Sequence, residues 1–184
     1  MTLDDNVGIT GLLERIDTAP GCSIKDSFAA LDLEGDGFRV LFDAEWITCP
    51  VRGGDTAVEG RWSILQSAAE LARWVRARNE ADDAPCVLRP HLLDLTDVAV
   101  VARHGGPSIV AGAIFNLAGG VLGLSNVFTA AGSPRATWDA LAEVGATIFP
   151  AATRLVGYES GTELELARAA GFDSVGPLRV WLKD

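Results

Sequence analysis

The sequence predicts an α/β fold with a mixed, mostly antiparallel central sheet, flanked by helices and preceded by an N-terminal extension. Apolar runs rich in strand-forming residues follow one another at 98–102, 108–117 and 121–129, with glycine-rich turns between them, which is typical of an antiparallel meander. Helical patterns follow serine caps at Ser133 and Ser160. A mixed sheet of this kind has to be covered by helices on both faces.

The chain is predicted to divide near residue 60. Residues 50–60 combine proline, three glycines and isolated charges, which is typical of a linker. Before the linker the patterns are weak, with a short helix expected over 7–16 and a strand or strand–turn over 38–47. These roughly fifty residues are too few to form a core alone. We therefore expect 1–60 to be an extension packed on a main domain that covers 61–184.

The main domain has clearer element boundaries. After a strand at 62–65, Ser67 is a helix N-cap with Glu70 as its capping-box partner. The remaining predicted elements are, in order, a helical turn at 92–96, the three-stranded meander, a helix at 134–148, a strand at 154–158, a helix after Ser160, and strands at 172–175 and 178–182 joined at Gly176-Pro177.

Composition excludes several classes of protein. The net charge is −10, so nucleic acid and membrane surfaces are poor partners. Cys22, Cys49 and Cys86 are odd in number and widely spaced, and only two histidines accompany them, so we expect neither a disulfide framework nor a metal site. The acidic N-terminus lacks the basic and apolar regions of a signal peptide, and we expect a cytoplasmic protein.

In ELELARAAGFDSVGPLRVWL a predicted helix ends in Gly-Phe before the last strands, and AGAIFNLAGGVLGLSNVF reads as a hairpin. The first segment resembles the fourth helix and last strands of the GNAT acetyltransferase superfamily, and the second resembles its third and fourth strands. The order of elements over 61–182 is also similar. The resemblance implies an acyl-CoA-dependent N-acyltransferase. The expected reaction is transfer of an acyl group, with acetyl as the expected group, to an amine of a small molecule or peptide. The acyl-CoA would lie in a V-shaped opening between the fourth and fifth strands.

The resemblance also implies cofactor-binding residues. In the family, a glycine-rich loop after the fourth strand binds the pyrophosphate through backbone N–H groups at a helix start; here that loop is 129–136. Main-chain groups at the end of the fourth strand hold the acyl carbonyl and pantetheine. The residues expected to bind acetyl-CoA or another acyl-CoA are therefore Ser125, Asn126, Val127, Phe128, Gly132 and Arg135.

The expected catalytic pair is Tyr158 and Glu159. Many family members carry a tyrosine four residues before the glycine of Gly-Phe, where this chain has Ala167. Its single tyrosine, Tyr158, ends a predicted strand and would act as the general acid, with Glu159 as the base. A packed aromatic at 158 and a carboxylate stabilised by a helix start at 159 are the structural alternatives. For Ser125 and Asn126 the structural alternative is that their side chains form hydrogen bonds to a neighbouring strand.

Two other functions stay open. The loop has one glycine, Pro134 lacks an N–H donor, and Ala167 replaces the usual tyrosine, which together are compatible with a GNAT-like binding domain without turnover. The third alternative is an interaction module that forms a homodimer through the N-terminal extension. Its interface would be an exposed apolar patch of Trp46, Trp62 and Trp181.

Overall fold

The computed structural model describes residues 1–2, 4, 8–51, 53, 62–79 and 88–184. Its strands are β1 (Ser23–Asp26), β2 (Phe38–Pro50), β3 (Trp62–Ile64), β4 (Val98–Gly105), β5 (Ser108–Ala118), β6 (Val121–Thr129), β7 (Arg154–Glu159) and β8 (Asp173–Lys183). Its helices are α1 (Ile9–Leu13), α2 (Ala68–Arg78), α3 (Pro134–Ile148) and α4 (Gly161–Ala169), with 3-10 turns at Glu34–Asp36 and Pro90–Asp94.

The strands form one mixed sheet in the order β1-β8-β2-β7-β6-β5-β4-β3. The pairs β3–β4, β4–β5 and β5–β6 are antiparallel, which confirms the predicted meander. Strand β1 also pairs with β8 in antiparallel register, whereas β6 and β7 are parallel. The predicted fold class is confirmed.

Capping side chains set the starts of α2 and α3. The Ser67 hydroxyl accepts from the Glu70 N–H at 3.3 Å, and the Glu70 carboxylate accepts from the Ser67 N–H at 3.1 Å. Ser133 accepts from the Ala136 N–H at 3.3 Å, and Pro134 occupies the first helical position. Both predicted helix starts are confirmed. In the described part of the chain, no helix is long and apolar enough to cross a membrane.

The chain separates into two compact units. The first unit comprises Met1–Ile47, Tyr158–Glu165 and Ser174–Asp184, and the second comprises Thr48–Gly157 and Leu166–Asp173. The buried core cluster of the first unit consists of Ile24, Leu31, Leu33, Phe38 and Trp181. The boundary predicted near residue 60 lies among residues 54–61, outside the described ranges, and stays a prediction, as does the packing of an extension on a main domain.

Within the second unit, helices cover both faces of the meander. Ile114 packs in a cluster with Leu71 and Trp74 of α2. The next residue, Phe115, lies near Gly145 of α3. Because successive strand residues project to opposite faces, α2 and α3 cover opposite sides of β5. Trp138, Leu141 and Val144 of α3 are buried, as the helical period predicts.

Two sequence expectations about β8 are wrong. The predicted break at Gly176-Pro177 is absent, because residues 173–183 form one strand. Proline keeps an extended φ, so it can remove one ladder hydrogen bond without forcing a turn. Trp181 is also buried, with 2% of its surface exposed, because it packs in the core cluster of the first unit, to which the unpredicted strand β1 contributes Ile24. It therefore contributes nothing to an exposed apolar patch, while the homodimer itself stays a prediction.

The side chains of Trp74 and Phe128 pack directly against Gly112 of β5. The Trp74 indole N–H donates to the Val101 carbonyl at 2.8 Å, and its ring meets Phe128 edge to face, with centroids 5.0 Å apart. A Cβ atom on Gly112 would collide with the Trp74 indole and would lie 2.5 Å from a ring carbon of Phe128. Position 112 therefore requires glycine.

We predict that Gly112→Ala lowers the free energy of unfolding by about 1–3 kcal/mol, because the added methyl overpacks this site. Urea denaturation measures the change. The matched control is Gly176→Ala, where an added Cβ meets nothing within 4 Å. Equal stabilities for the two variants would contradict the packing described.

Candidate functional site

Strand β6 carries a bulge at the residues expected to hold the acyl group. In the β5–β6 register, Gly112 pairs with Phe128 and Ile114 pairs with Ser125. One residue of β5 therefore lies opposite two residues of β6, Asn126 and Val127. Asn126 has a φ of 54°, in the left-handed region that asparagine tolerates better than most residues. A bulge leaves its extra residue outside the ladder, which makes backbone groups at Asn126 and Val127 available to a ligand.

The side chains around the bulge are partly accessible. Ser125 is exposed, and the Asn126 side-chain amide donates to its hydroxyl at 3.2 Å. Phe128 is half-buried against Trp74. Parallel pairing with β7 covers Val121–Gly123, the first three residues of β6. The cofactor-binding residues predicted on β6 thus lie beyond the part of the strand that pairs with β7.

Much of the donor capacity of the expected phosphate loop is already used within the protein. The N–H groups of Ala130 and Ala131 donate to the Val110 carbonyl at 2.9 and 3.1 Å. The Ala136 N–H donates to the Ser133 cap, and Pro134 has no N–H. Gly132 has a φ of 93°, which allows the chain to turn from β6 into α3. A phosphate at this loop would need cationic side chains in addition to backbone donors.

Two arginines lie at this loop, and the sequence pointed to only one of them. Arg135 forms an exposed ion pair with Asp139 at 2.8 Å, which is a weak contact that a phosphate could replace. Arg103, at the end of β4, donates to the Ala131 carbonyl at 3.4 Å, and its guanidinium would lie 3.4 Å from a Cβ atom on Gly132. The Arg103 Nε is buried and has no hydrogen-bond partner in the described part of the chain. The signal that could have revealed Arg103 is its charge directly after the apolar run at 98–102.

The expected catalytic residues end β7 and belong to the first unit. The half-buried Tyr158 ring meets Trp46 edge to face, with centroids 5.7 Å apart. Burial, and to a smaller extent the charge of Glu163, raises the pKa of Glu159 to about 7. Such a carboxyl group can accept and release a proton near neutral pH.

The position at which the family resemblance implies a tyrosine is occupied by a buried alanine. Ala167 has 0% of its surface exposed, and its carbonyl accepts from the Phe172 N–H at 3.1 Å. Gly171 adopts a φ of 94° between them, as expected of a helix C-terminus that ends in glycine. Phe172 then packs edge to face on Trp138, with ring centroids 5.5 Å apart. Position 167 therefore closes a helix and supplies no proton.

The chain matches known proteins in structure and not in sequence. No protein-family model and no curated protein sequence matches the chain. A GCN5-related N-acetyltransferase from Sphaerobacter thermophilus matches 95% of this chain and 64% of its own, with a TM-score of 0.59 and 12% identity. An acetyltransferase of the GNAT family from Colwellia psychrerythraea matches 89% and 64%, with a TM-score of 0.55 and 13% identity.

A third similar structure is a GCN5-related N-acetyltransferase from Kribbella flavida, with a TM-score of 0.54 and 18% identity. The match covers 82% of this chain, which spans 62% of the length of that one. These structures, together with the strand order, define the chain as a GNAT-fold protein, which confirms the resemblance read from the sequence. Identities this low establish the fold and leave the roles of Tyr158, Glu159 and the residues of β6 and the loop as predictions.

We predict that Glu159→Gln becomes more stable relative to the parent protein as the pH rises. Between the ordinary pKa of 4.5 and the raised value of about 7, the folded protein keeps a proton that the unfolded chain has released. The stability of the parent therefore falls across this window, and the neutral glutamine avoids the loss. Between about pH 5 and pH 8 we expect a relative gain of about 1–2 kcal/mol, measured by denaturant unfolding.

The same substitution at the exposed Glu14 is the control for losing one negative charge. A pH-independent difference between Glu159→Gln and the parent would contradict the raised pKa.

Proposed function

We propose that this GNAT-fold protein is an acyl-CoA-dependent N-acyltransferase that transfers an acyl group, acetyl in the first instance, to an amine of a small molecule or peptide. The observation that carries the proposal is the partly buried Glu159, whose pKa of about 7 suits a general base at neutral pH. It is adjacent in sequence to Tyr158, the single phenol of the chain.

The residues present fit an acyl-CoA in two respects. The Arg103 guanidinium lies next to Gly132 and makes a long, exposed hydrogen bond of 3.4 Å to the Ala131 carbonyl, so an anionic pyrophosphate there would supply a better acceptor. The bulge at Asn126 and Val127 offers backbone groups to an acyl carbonyl. In this proposal Arg103, Arg135 and Gly132 hold the phosphates, while 125–128 hold the pantetheine and acyl group. The bound acyl-CoA supplies the thioester.

Proton transfer is assigned to the two residues that end β7. Glu159, directly or through a water, takes a proton from the acceptor amine as its nitrogen forms a bond to the acyl carbon. Tyr158 gives its phenolic proton to the sulfur as the carbon–sulfur bond breaks. Because Glu159 must be ionised to take the proton, the burial that raises its pKa determines the pH at which it works.

A GNAT-fold binding domain without turnover is the alternative. Two observations favour it: the loop N–H groups of Ala130, Ala131 and Ala136 are already used, and Ala167 is buried at the position where the family resemblance implies a tyrosine. Thermal shift with acetyl-CoA and free CoA, followed by a transfer assay on a panel of amines, separates the two functions. Stabilisation by ligand without transfer to any amine would favour the binding domain.

We predict that the parent protein transfers acetyl groups and that Tyr158→Phe lowers kcat by about 100-fold, the scale expected for losing a positioned acid. Glu159→Gln should remove the rise of kcat/KM with pH, which in the parent should have its midpoint near 7 because the base must be ionised. Steady-state kinetics over a pH series measure both effects. A parent-like rate in Tyr158→Phe would show that the tyrosine is structural.

We predict that CoA affinity depends on both loop arginines. Arg103→Ala and Arg135→Ala should each weaken CoA binding by about 10-fold, or about 1.4 kcal/mol, in calorimetry. S-Acetylpantetheine, which lacks the pyrophosphate, should bind the parent and both variants equally. The matched control is Arg76→Ala on the exposed side of α2. Unchanged CoA affinity in either loop variant would remove that arginine from the phosphate site.

A further inference from the structure

Two aromatic rings of the first unit, those of Tyr158 and Trp46, face the ammonium of Lys25, and a third ring, that of Phe42, stacks near Tyr158. The Tyr158 ring stacks near Phe42, with centroids 6.4 Å apart and planes 19° apart, and meets Trp46 at 81°. The Lys25 Nζ lies 4.1 Å from the Tyr158 centroid and 5.9 Å from the Trp46 centroid. We call Phe42, Trp46 and Tyr158 the aromatic cage.

The cage is held in place by the sheet and by one hydrogen bond. Phe42 and Trp46 are four residues apart on β2 and therefore project from the same face. The Trp46 indole N–H donates to the Ser27 carbonyl at 3.1 Å, which fixes that ring. The cage is also accessible, because Phe42 is 38% exposed while Trp46, Tyr158 and Lys25 are half-buried. A ligand can therefore reach rings that are already oriented.

Lys25 is held by aromatic rings and not by a carboxylate. In the described part of the chain its ammonium has no hydrogen bond and no ion pair, although the protein is strongly acidic. The carboxylate of Asp43, next to Phe42 on β2, pairs with Arg179 at 2.6 Å. The second lysine of the chain, Lys183, differs, because it lies over the Phe38 ring but also donates to the Asp36 carbonyl. The cage thus provides an environment for a cation that depends on ring faces alone.

We propose that the aromatic cage is a binding site for an alkylammonium group of a ligand, and that Lys25 is a resident occupant which the ligand displaces. Ring faces attract a cation and give a neutral group of the same shape no such attraction. The long lysine side chain can move its charge into water, so displacement is feasible. While Lys25 occupies the cage, the fraction of binding-competent protein and hence the apparent affinity are reduced.

This inference deepens the proposed function, since an alkylammonium is the protonated form of an acceptor amine and Tyr158 is shared by both. The cage would select acceptors that carry a positive charge near the reacting nitrogen or on it. Binding to the cage needs no acyl donor, however, so it can be measured without any assumption about transfer.

The experiment is a titration of the full-length protein with n-butylammonium, followed through the indole N–H signal of Trp46 in NMR spectra. The neutral n-butanol is the matched ligand control. We expect saturable binding of n-butylammonium and none of n-butanol. Lys25→Ala should bind n-butylammonium at least 10-fold more tightly than the parent, because the internal competitor is gone, whereas Lys183→Ala should match the parent.

A double variant tests whether the gain belongs to the cage. Adding Tyr158→Leu to Lys25→Ala should remove most of the gain, because Tyr158 is the ring nearest the cation. Cooperative thermal unfolding is the check that the variant folds. An Nα-acetyl-lysine amide arm distinguishes the two sources of the ammonium: tighter binding than n-butylammonium assigns a peptide lysine, and weaker binding assigns a small amine.

Equal affinities of the parent and Lys25→Ala, equal binding of n-butanol, or a gain that survives Tyr158→Leu would each overturn the cage. Ammonium binding in a protein that transfers no acyl group would support the cage and contradict the proposed function. Acyl transfer without any ammonium response at Trp46 would do the reverse.

Discussion

One extra residue in β6 is the constraint on which the candidate site depends. Asn126 and Val127 lie opposite a single residue of β5, and the backbone absorbs the mismatch at Asn126, with a φ of 54°. Upstream, residues 121–123 stay in parallel register with β7. The strand therefore serves two purposes along its length, holding the sheet together at its start and turning backbone groups out of the ladder near its end. The bulge requires a left-handed backbone at position 126, and asparagine adopts that conformation more readily than most residues.

Local signals accounted for most of the elements. The serine caps at positions 67 and 133 act on N–H groups three residues away, so their effect can be read within a single turn of sequence. The meander was predictable for a similar reason, because its glycine-rich turns join strands that pair with their neighbours in sequence.

Features that depend on distant pairing were missed. Strand β1 has four residues, and its partner β8 lies more than 150 residues later, so no local pattern announces it. The burial of Trp181 depends on a core cluster whose other members lie at residues 24–38, so it was missed for the same reason. Arg103 was missed because it reaches its loop from another strand, and the bulge because a mismatch belongs to two strands at once. The raised pKa of Glu159 is likewise a property of the folded environment, since burial is its main cause.

The resemblance predicted which loop and strand segments would bind the cofactor. The structure changes which groups within those segments are expected to bind the phosphates. Several backbone N–H groups of the loop already donate to acceptors within the protein. We therefore expect the side chains of Arg103 and Arg135 to provide most of the donors for a phosphate. Arginine suits that purpose, because its fork of N–H donors matches phosphate oxygens and remains charged at any physiological pH. A loop with few free backbone donors can therefore still offer side-chain donors to an anion.

The chain has thirteen arginines but two lysines, and both lysine ammonium groups lie over aromatic rings, at 4.1 Å from the Tyr158 centroid and 5.2 Å from the Phe38 centroid. Aromatic ring currents displace the resonances of nuclei above a ring face. A sample carrying isotope in its lysines alone would therefore give two sets of side-chain signals, each shifted by its own aromatic neighbours. Those two shifts would report, in solution and without any added ligand, the fraction of time that each side chain spends at its aromatic neighbours.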